Sequence, residues 1–78
     1  MLKSLRQMAT GEKAKIMTVN AVGEIGRRLR DMGLSPGTEI EILGRAPLKD
    51  PVSIRLKNYT LTLRNSEADF ITVEGLEN

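Results

Sequence analysis

The residues of this chain whose types and spacing could do chemistry are two close glutamates, four methionines and a cluster of arginines. Glu39 and Glu41 stand two apart, which on a strand puts both carboxylates on one face. They could hold a hard cation weakly; solvated carboxylates are the plainer reading. Met1, Met8, Met17 and Met32 offer thioethers, soft ligands that suit Cu(I) better than harder divalent cations, and packing is their commoner role. Arg27, Arg28 and Arg30 cannot all point into a small core, so some of them face solvent. There they form either a solvated face or a docking surface for an acidic partner or an anionic membrane edge. The acid–base groups are Asp, Glu, Lys and Tyr59, and they form no evident paired constellation, so no enzyme is expected.

What is missing narrows the chemistry further. The chain has no cysteine and no histidine. Disulfides, thiolate metal sites, and Ser–His or Cys–His catalysis are therefore outside its reach. The commonest transition-metal ligand is absent too, so neither a metal site nor a cofactor is expected. No apolar run approaches the about 20 residues that span a bilayer, and no apolar segment follows Lys3 and Arg6 as in a signal peptide. These features predict a soluble cytoplasmic protein. Net charge is +2 but uneven: residues 1–30 carry +5 and residues 31–78 carry −3. A nucleic-acid-binding small barrel would use that basic half. However, only Tyr59 and Phe70 could stack on bases, so nucleic acid is not the expected partner.

The elements that must position these residues follow from period and turn chemistry. Seventy-eight residues make one domain, 1–78, with a small core. Leu2, Leu5 and Met8, spaced by three, predict a short helical turn or an extended cap over one end of that core. Lys13 to Val19 alternates, with Ala14, Ile16 and Thr18 on one side and Lys15, Met17 and Val19 on the other, a strand partly buried on both faces. Residues 23–32 change period: Ile25, Leu29 and Met32 form an apolar stripe on a short helix, started by Asn20 or Gly23. Gly33 stands where a left-handed C-cap is wanted, and Leu34 where a residue packs back on the last turn. Ser35-Pro36-Gly37 is a tight turn, with proline at its first corner and glycine at its second. Thr38 to Leu43 alternates with Ile40 and Ile42 inward, and Arg45 to Pro51 reads as a loop stiffened by two prolines. Strands at Val52–Leu56 and Tyr59–Leu63 flank Lys57-Asn58, a two-residue hairpin turn. Ser66 is a candidate cap for a turn at 65–69, and Ile71 and Val73 mark a last strand. About five strands and one inserted helix predict an all-β fold, a small bent antiparallel sheet closing into a barrel.

Three segments are more specific than barrel grammar. They are Arg27-Arg28-Leu29-Arg30-Asp31-Met32-Gly33-Leu34-Ser35-Pro36-Gly37-Thr38, then Ala46-Pro47-Leu48-Lys49-Asp50-Pro51-Val52, then Asn58-Tyr59-Thr60-Leu61-Thr62-Leu63-Arg64-Asn65-Ser66-Glu67-Ala68. In order and spacing they resemble the FeoA family, whose members show R-L-x-x-M-G-L-x-P-G-T, A-P-L-x-D-P and G-Y-x-L-x-L-R-x-x-E-A blocks. The resemblance runs from Leu2 to Val73. Asn58 departs from it, standing where the family has glycine, but both residues accept a left-handed backbone. The resemblance implies an SH3-like barrel and a cytoplasmic accessory role in ferrous iron transport, beside the membrane protein FeoB with its G-domain. A similar domain ends the iron-dependent repressors, which makes a stand-alone regulatory domain the alternative.

Two partner-binding segments follow. Arg27, Arg28 and Arg30 offer charge. Ala46, Pro47, Leu48 and Asp50 form a stiff loop whose leucine either meets a partner or folds back to plug the barrel. Met32, Gly33, Leu34, Pro36, Gly37, Asn58 and Tyr59 are expected to be structural. Weak self-association through a sheet edge is left open.

Overall fold

The computed structural model describes residues 1–48 and 50–76. Lys49, inside the second block, lies outside the described residues, as do residues 77 and 78. Six strands form one antiparallel sheet: β1 (Leu2–Ser4), β2 (Lys13–Val19), β3 (Glu39–Arg45), β4 (Val52–Arg55), β5 (Thr60–Leu63) and β6 (Ile71–Gly75), in spatial order β1-β6-β2-β3-β4-β5. Helix α1 (Gly23–Asp31) joins β2 to β3, and a single turn, α2 (Asn65–Ala68), joins β5 to β6. The all-β expectation holds, with one strand more than the five read from alternation. The extra strand is β1. Its neighbour, Leu5–Gln7, is a 3₁₀ turn, so the lead-in is both extended and helical. Leu5 and Met8 enter the core while Leu2 stays 59% exposed.

Two bulges bend the sheet, and strict alternation hid both. In β2 the register against β6 shifts between Ile16 and Thr18, which leaves Met17 as the extra residue. A single extra residue inverts the faces that follow. Val19 therefore packs on the core and Thr18 is exposed, the reverse of the sequence pattern. Lys15 and Met17 are exposed as well, so β2 buries one face only. In β3 the register shifts between Ile42 and Gly44, and the strand continues through Arg45 rather than ending at Leu43.

The core is aliphatic throughout. Ile16, Ile42, Val52, Ile54, Leu63, Ile71 and Val73 line the inner face of the sheet, and Leu5, Leu29, Leu34 and Ala68, from outside the longer strands, join the same buried cluster. Each fully buried Leu, Ile or Val contributes about 1.5–3 kcal/mol relative to exposure. Among the described residues no polar side chain is buried.

Helix α1 seats differently from the predicted stripe. Leu29 is fully buried and Met32 packs against the core, but Ile25 is 47% exposed. The cause is Gly26: a Cβ there would lie 2.4 Å from the carbonyl oxygen of Ala21. The backbones meet so closely at this point that the helix turns its Gly26–Leu29 side inward and moves Ile25 to the rim. Gly23 begins the helix at φ +66°, and Val22 before it supplies no side-chain cap. Asn20 is not a cap either; its N–H donates to the Phe70 carbonyl at 2.7 Å. The C-terminus matches expectation. Gly33 has φ +94°, its N–H donates to Arg30 O at 2.9 Å, and the Leu34 N–H donates to Leu29 O at 3.0 Å. This is the Schellman pattern, with Leu34 buried behind it.

Candidate functional site

The structural block and the hairpin meet at Gly33. The Tyr59 hydroxyl donates to the Met32 carbonyl at 2.7 Å, and a Cβ on Gly33 would come within 1.9 Å of that hydroxyl oxygen. The first and third sequence blocks are thus pinned together by one phenol lying over one glycine. Asn58 holds its expected place beside Lys57 in the two-residue turn, closed by the Leu56 N–H donating to Tyr59 O at 2.8 Å. Beyond Gly33, the Thr38 N–H donates to Ser35 O at 3.1 Å across Pro36-Gly37, with Gly37 at φ +94°. The Gly37 N–H also donates to Ile16 O at 2.8 Å, which fastens the turn to β2.

The loop of the second block closes where the Ala46 N–H donates to Pro51 O at 3.1 Å. Leu48 at its tip is 90% exposed. It does not plug the barrel. Pro47 beside it is exposed too, so the tip is apolar and open to water. Asp50 faces the other way in role: its Oδ1 accepts the Asn65 N–H at 2.9 Å, holding the first turn of α2. Ser66 therefore does not cap this turn. It lies inside α2, whose start is secured by Asp50 and by Glu67 Oε1, which accepts the Arg64 N–H at 3.1 Å.

The arginines of α1 are partly committed. Arg28 pairs with Glu67, and Arg27 pairs with Glu24 at 3.7 Å; among the described residues Arg30 makes no ion pair. The helix therefore presents less free charge than its sequence suggests. The fold ties both α1 and the loop to α2, the first through Arg28–Glu67 and the second through Asp50–Asn65. The two segments singled out from sequence thus share one four-residue turn as an anchor, which the sequence could not reveal.

Three supporting residues escaped the sequence reading. One is Gly26. The second is Arg45, read as loop, whose guanidinium donates to Arg6 O at 2.8 Å, Met8 O at 2.9 Å and Asn65 Oδ1 at 3.2 Å. The third is Glu12, half-buried, which bonds Lys3 and accepts the Ala9 N–H at 3.0 Å. The Lys3 bond foremost, and then the Ala9 N–H, hold its carboxyl below the usual range. The Ala9 bond spans three residues, but the larger one, to Lys3 on β1, leaves no mark in local spacing.

The remaining chemical candidates do not gather. Glu39 stands opposite Lys15, and Glu41 stands between Lys13 and Arg55, 3.8 Å from the latter. Met8 is in the core and Met17 is at the β2 bulge, on different sides of the sheet. Among the described residues no three His, Cys, Asp or Glu cluster as metal ligands. An open groove of about 750 Å³ is lined by Gly33, Glu39, Glu41, Arg55, Leu56 and Tyr59, with both charge signs represented. Among the described residues no helix is long and apolar enough to cross a membrane.

The family model of the FeoA domain matches residues 3–75. The chain belongs to the FeoA family. A curated relative, the Fe(2+) transport protein A/Fe(2+) transporter FeoB fusion protein of Porphyromonas gingivalis, is 37% identical over 70 residues. That match takes in 90% of this chain but only 8% of the relative's length. The solution structure of a FeoA-like protein from Clostridium acetobutylicum is 39% identical, with a TM-score of 0.90 over 99% of this chain and 90% of that one. The Stenotrophomonas maltophilia FeoA, solved in complex with zinc and described as a prokaryotic SH3 domain protein, is 25% identical. Its TM-score is 0.80 over 92% of this chain and 89% of that one. The FeoA fold is thus the SH3-like barrel predicted from the three blocks, and the family is one of ferrous iron transport.

Proposed function

We propose that this FeoA domain is a non-enzymatic cytoplasmic accessory that binds the cytoplasmic part of an FeoB-type membrane protein and modulates ferrous iron uptake. The observation that carries this reading is the relative that joins the two activities in one polypeptide. Fusion places two partners at high effective concentration, an arrangement of use only where they work together. The apolar tip Pro47-Leu48 is the contact, with Ala46 and Asp50 setting its shape and Arg27, Arg28 and Arg30 adding charge at the flank. A preorganised loop with one protruding leucine loses little entropy on docking, and seating that leucine is worth about 1.5–3 kcal/mol.

Binding of the chain to the cytoplasmic part of the cognate FeoB, measured by calorimetry at physiological salt, tests this. Leu48→Asp is expected to weaken binding about 10-fold or more while leaving the melting temperature unchanged, because the side chain is out in water. Charge reversal at Arg27 and Arg30 is expected to give a smaller loss that shrinks as salt is raised. Absence of binding by the wild-type chain, or equal binding by Leu48→Asp, removes the proposal. Tight nucleic-acid binding at the same salt would point to the other reading of the basic N-terminal half.

A further inference from the structure

The two edges of the sheet are built differently. β1, at one edge, is three residues long, carries Lys3 at its centre and runs straight into the 3₁₀ turn. Shortness and charge are the usual protections of an exposed edge. β5, at the other, reads Thr60-Leu61-Thr62-Leu63, without charge or proline, and pairs only with β4. The Leu56–Tyr59 bond that closes the hairpin sets the alternation along it. Leu61 and Leu63 exchange backbone bonds with Ile54 and Val52, while the N–H and C=O groups of Thr60 and Thr62 point away from β4. Among the described residues none of these outward groups finds another partner, and both threonines are exposed. The edge stops at Thr62. Beyond it the Arg64 N–H is spent on Glu67 Oε1 at 3.1 Å, and the Arg64 carbonyl accepts the Glu67 and Ala68 N–H groups, each at 2.9 Å.

Such an edge is its own complement. Laid antiparallel against a second β5, with a two-fold axis at Leu61, Thr60 faces Thr62 of the second copy and Thr62 faces its Thr60. Each threonine pair then exchanges both N–H···O=C bonds, and every outward group is used. Other registers fail. An axis at Thr62 calls on Arg64, whose backbone groups are taken, and an axis at Thr60 calls on Asn58, which lies in the turn. A slip of one residue sets opposite faces together. In the matching register the exposed threonines make a favourable cross-strand pair, and half-buried Leu61 meets Leu61 of the second copy. Arg64 falls opposite Asn58 of the second copy, so no like charges stand directly opposed. We infer that the partner of this edge is a second copy of the chain, joined β5 to β5 about a two-fold axis at Leu61. One four-residue strand on each side is less than the about 1,200 Å² of a stable interface requires, so the dimer is weak, with a Kd of about 0.1–1 mM. It shares no residue with the Leu48 tip or the α1 arginines, so it stands or falls apart from the proposed FeoB contact.

An NMR concentration series on the full chain, from about 0.05 to 2 mM so as to bracket that Kd, tests this. The Thr60 and Thr62 amide signals should move together along one saturating curve, with sedimentation reporting a dimer as its end point. Two variants then separate the edge from the rest of the surface. Thr60→Glu with Thr62→Glu sets glutamates opposite each other across the two-fold, while within one chain position 60 gains the neighbouring Arg55 on β4. Its self-association should fall at least tenfold with the melting temperature kept. Thr60→Lys with Thr62→Lys should lose self-association in the same way. Mixed in equal amounts, the two variants should pair with each other at least as tightly as wild type pairs with itself, because each glutamate then faces a lysine. Constant Thr60 and Thr62 shifts up to the highest concentration would overturn the inference. So would concentration-dependent shifts centred on Leu2–Ser4 or on Leu48, or a folded glutamate variant that dimerises as wild type does.

Discussion

Gly33 shows how one residue can be demanded twice. Its φ of +94° strains any side chain, and a Cβ would meet the Tyr59 hydroxyl. Gly33→Ala is expected to cost about 2–3 kcal/mol in urea unfolding, from backbone strain plus a displaced hydrogen bond. Tyr59→Phe alone should cost about 1 kcal/mol, and less in the Gly33→Ala background, because the bond is already broken there; a double-mutant cycle reads that difference. Gly33 was legible in the chain because a C-cap glycine has a local signature. Gly26 was not. Helix propensity alone says that Gly26→Ala should gain about 1 kcal/mol. The Ala21 carbonyl at 2.4 Å says otherwise, and backbone cannot move aside as a side chain tip can. A net loss of about 1–3 kcal/mol is expected in the same assay.

At the scale of elements, the N-terminal segment and α2 are held by side chains reaching from elsewhere. Arg45 satisfies two carbonyls at the end of the 3₁₀ turn and reaches Asn65, so one guanidinium joins β3, the lead-in and α2. Arg45→Met keeps the aliphatic stem but removes every donor. It should lower stability by about 1–3 kcal/mol in thermal melts followed by circular dichroism, without changing the strand content. Simple alternation assigned the inward residues of β3, β4 and β5 correctly, since Ile40, Ile42, Val52, Ile54 and Leu63 are all buried. It failed where an element departs from its own period. The bulges at Met17 and Leu43 invert a pattern that no single residue announces, and Ile25 was lost to a rotation set by Gly26. Both failures arise from long-range fit: a barrel this small must bend its strands sharply, and bulges are how antiparallel strands bend.

For the molecule as a whole, the rows of charge on the outer sheet face are balanced. Lys15 lies between Glu39 and Glu74, and Glu41 lies between Lys13 and Arg55. Acid response should therefore show at Glu12, which ties the segment before β2 to β1 through Lys3. A carboxyl held below its usual range stabilises the fold above its unfolded pKa, and that contribution is lost as pH falls through the folded pKa. Glu12→Gln should melt below wild type at neutral pH by a small margin, at or under about 1 kcal/mol for a partly exposed pair. The two melting curves should converge as pH drops through about 4 and below. A gap that persists in acid would mean that Glu12 acts through packing instead of charge.

By itself the sequence determined the family, the barrel class, the inserted helix, the Gly33 cap and the exclusion of thiol and imidazole chemistry. Those follow from residue identity and short-range spacing, where backbone sterics and period leave few choices. Only the tertiary structure decided that Leu48 stands out in water, that Asp50 and Arg28 reach α2, and which face of α1 is buried. Each of these depends on a partner many residues away, such as Asn65 for Asp50 or Glu67 for Arg28. Contact across that distance is set by how the sheet bends, which spacing along the chain does not record.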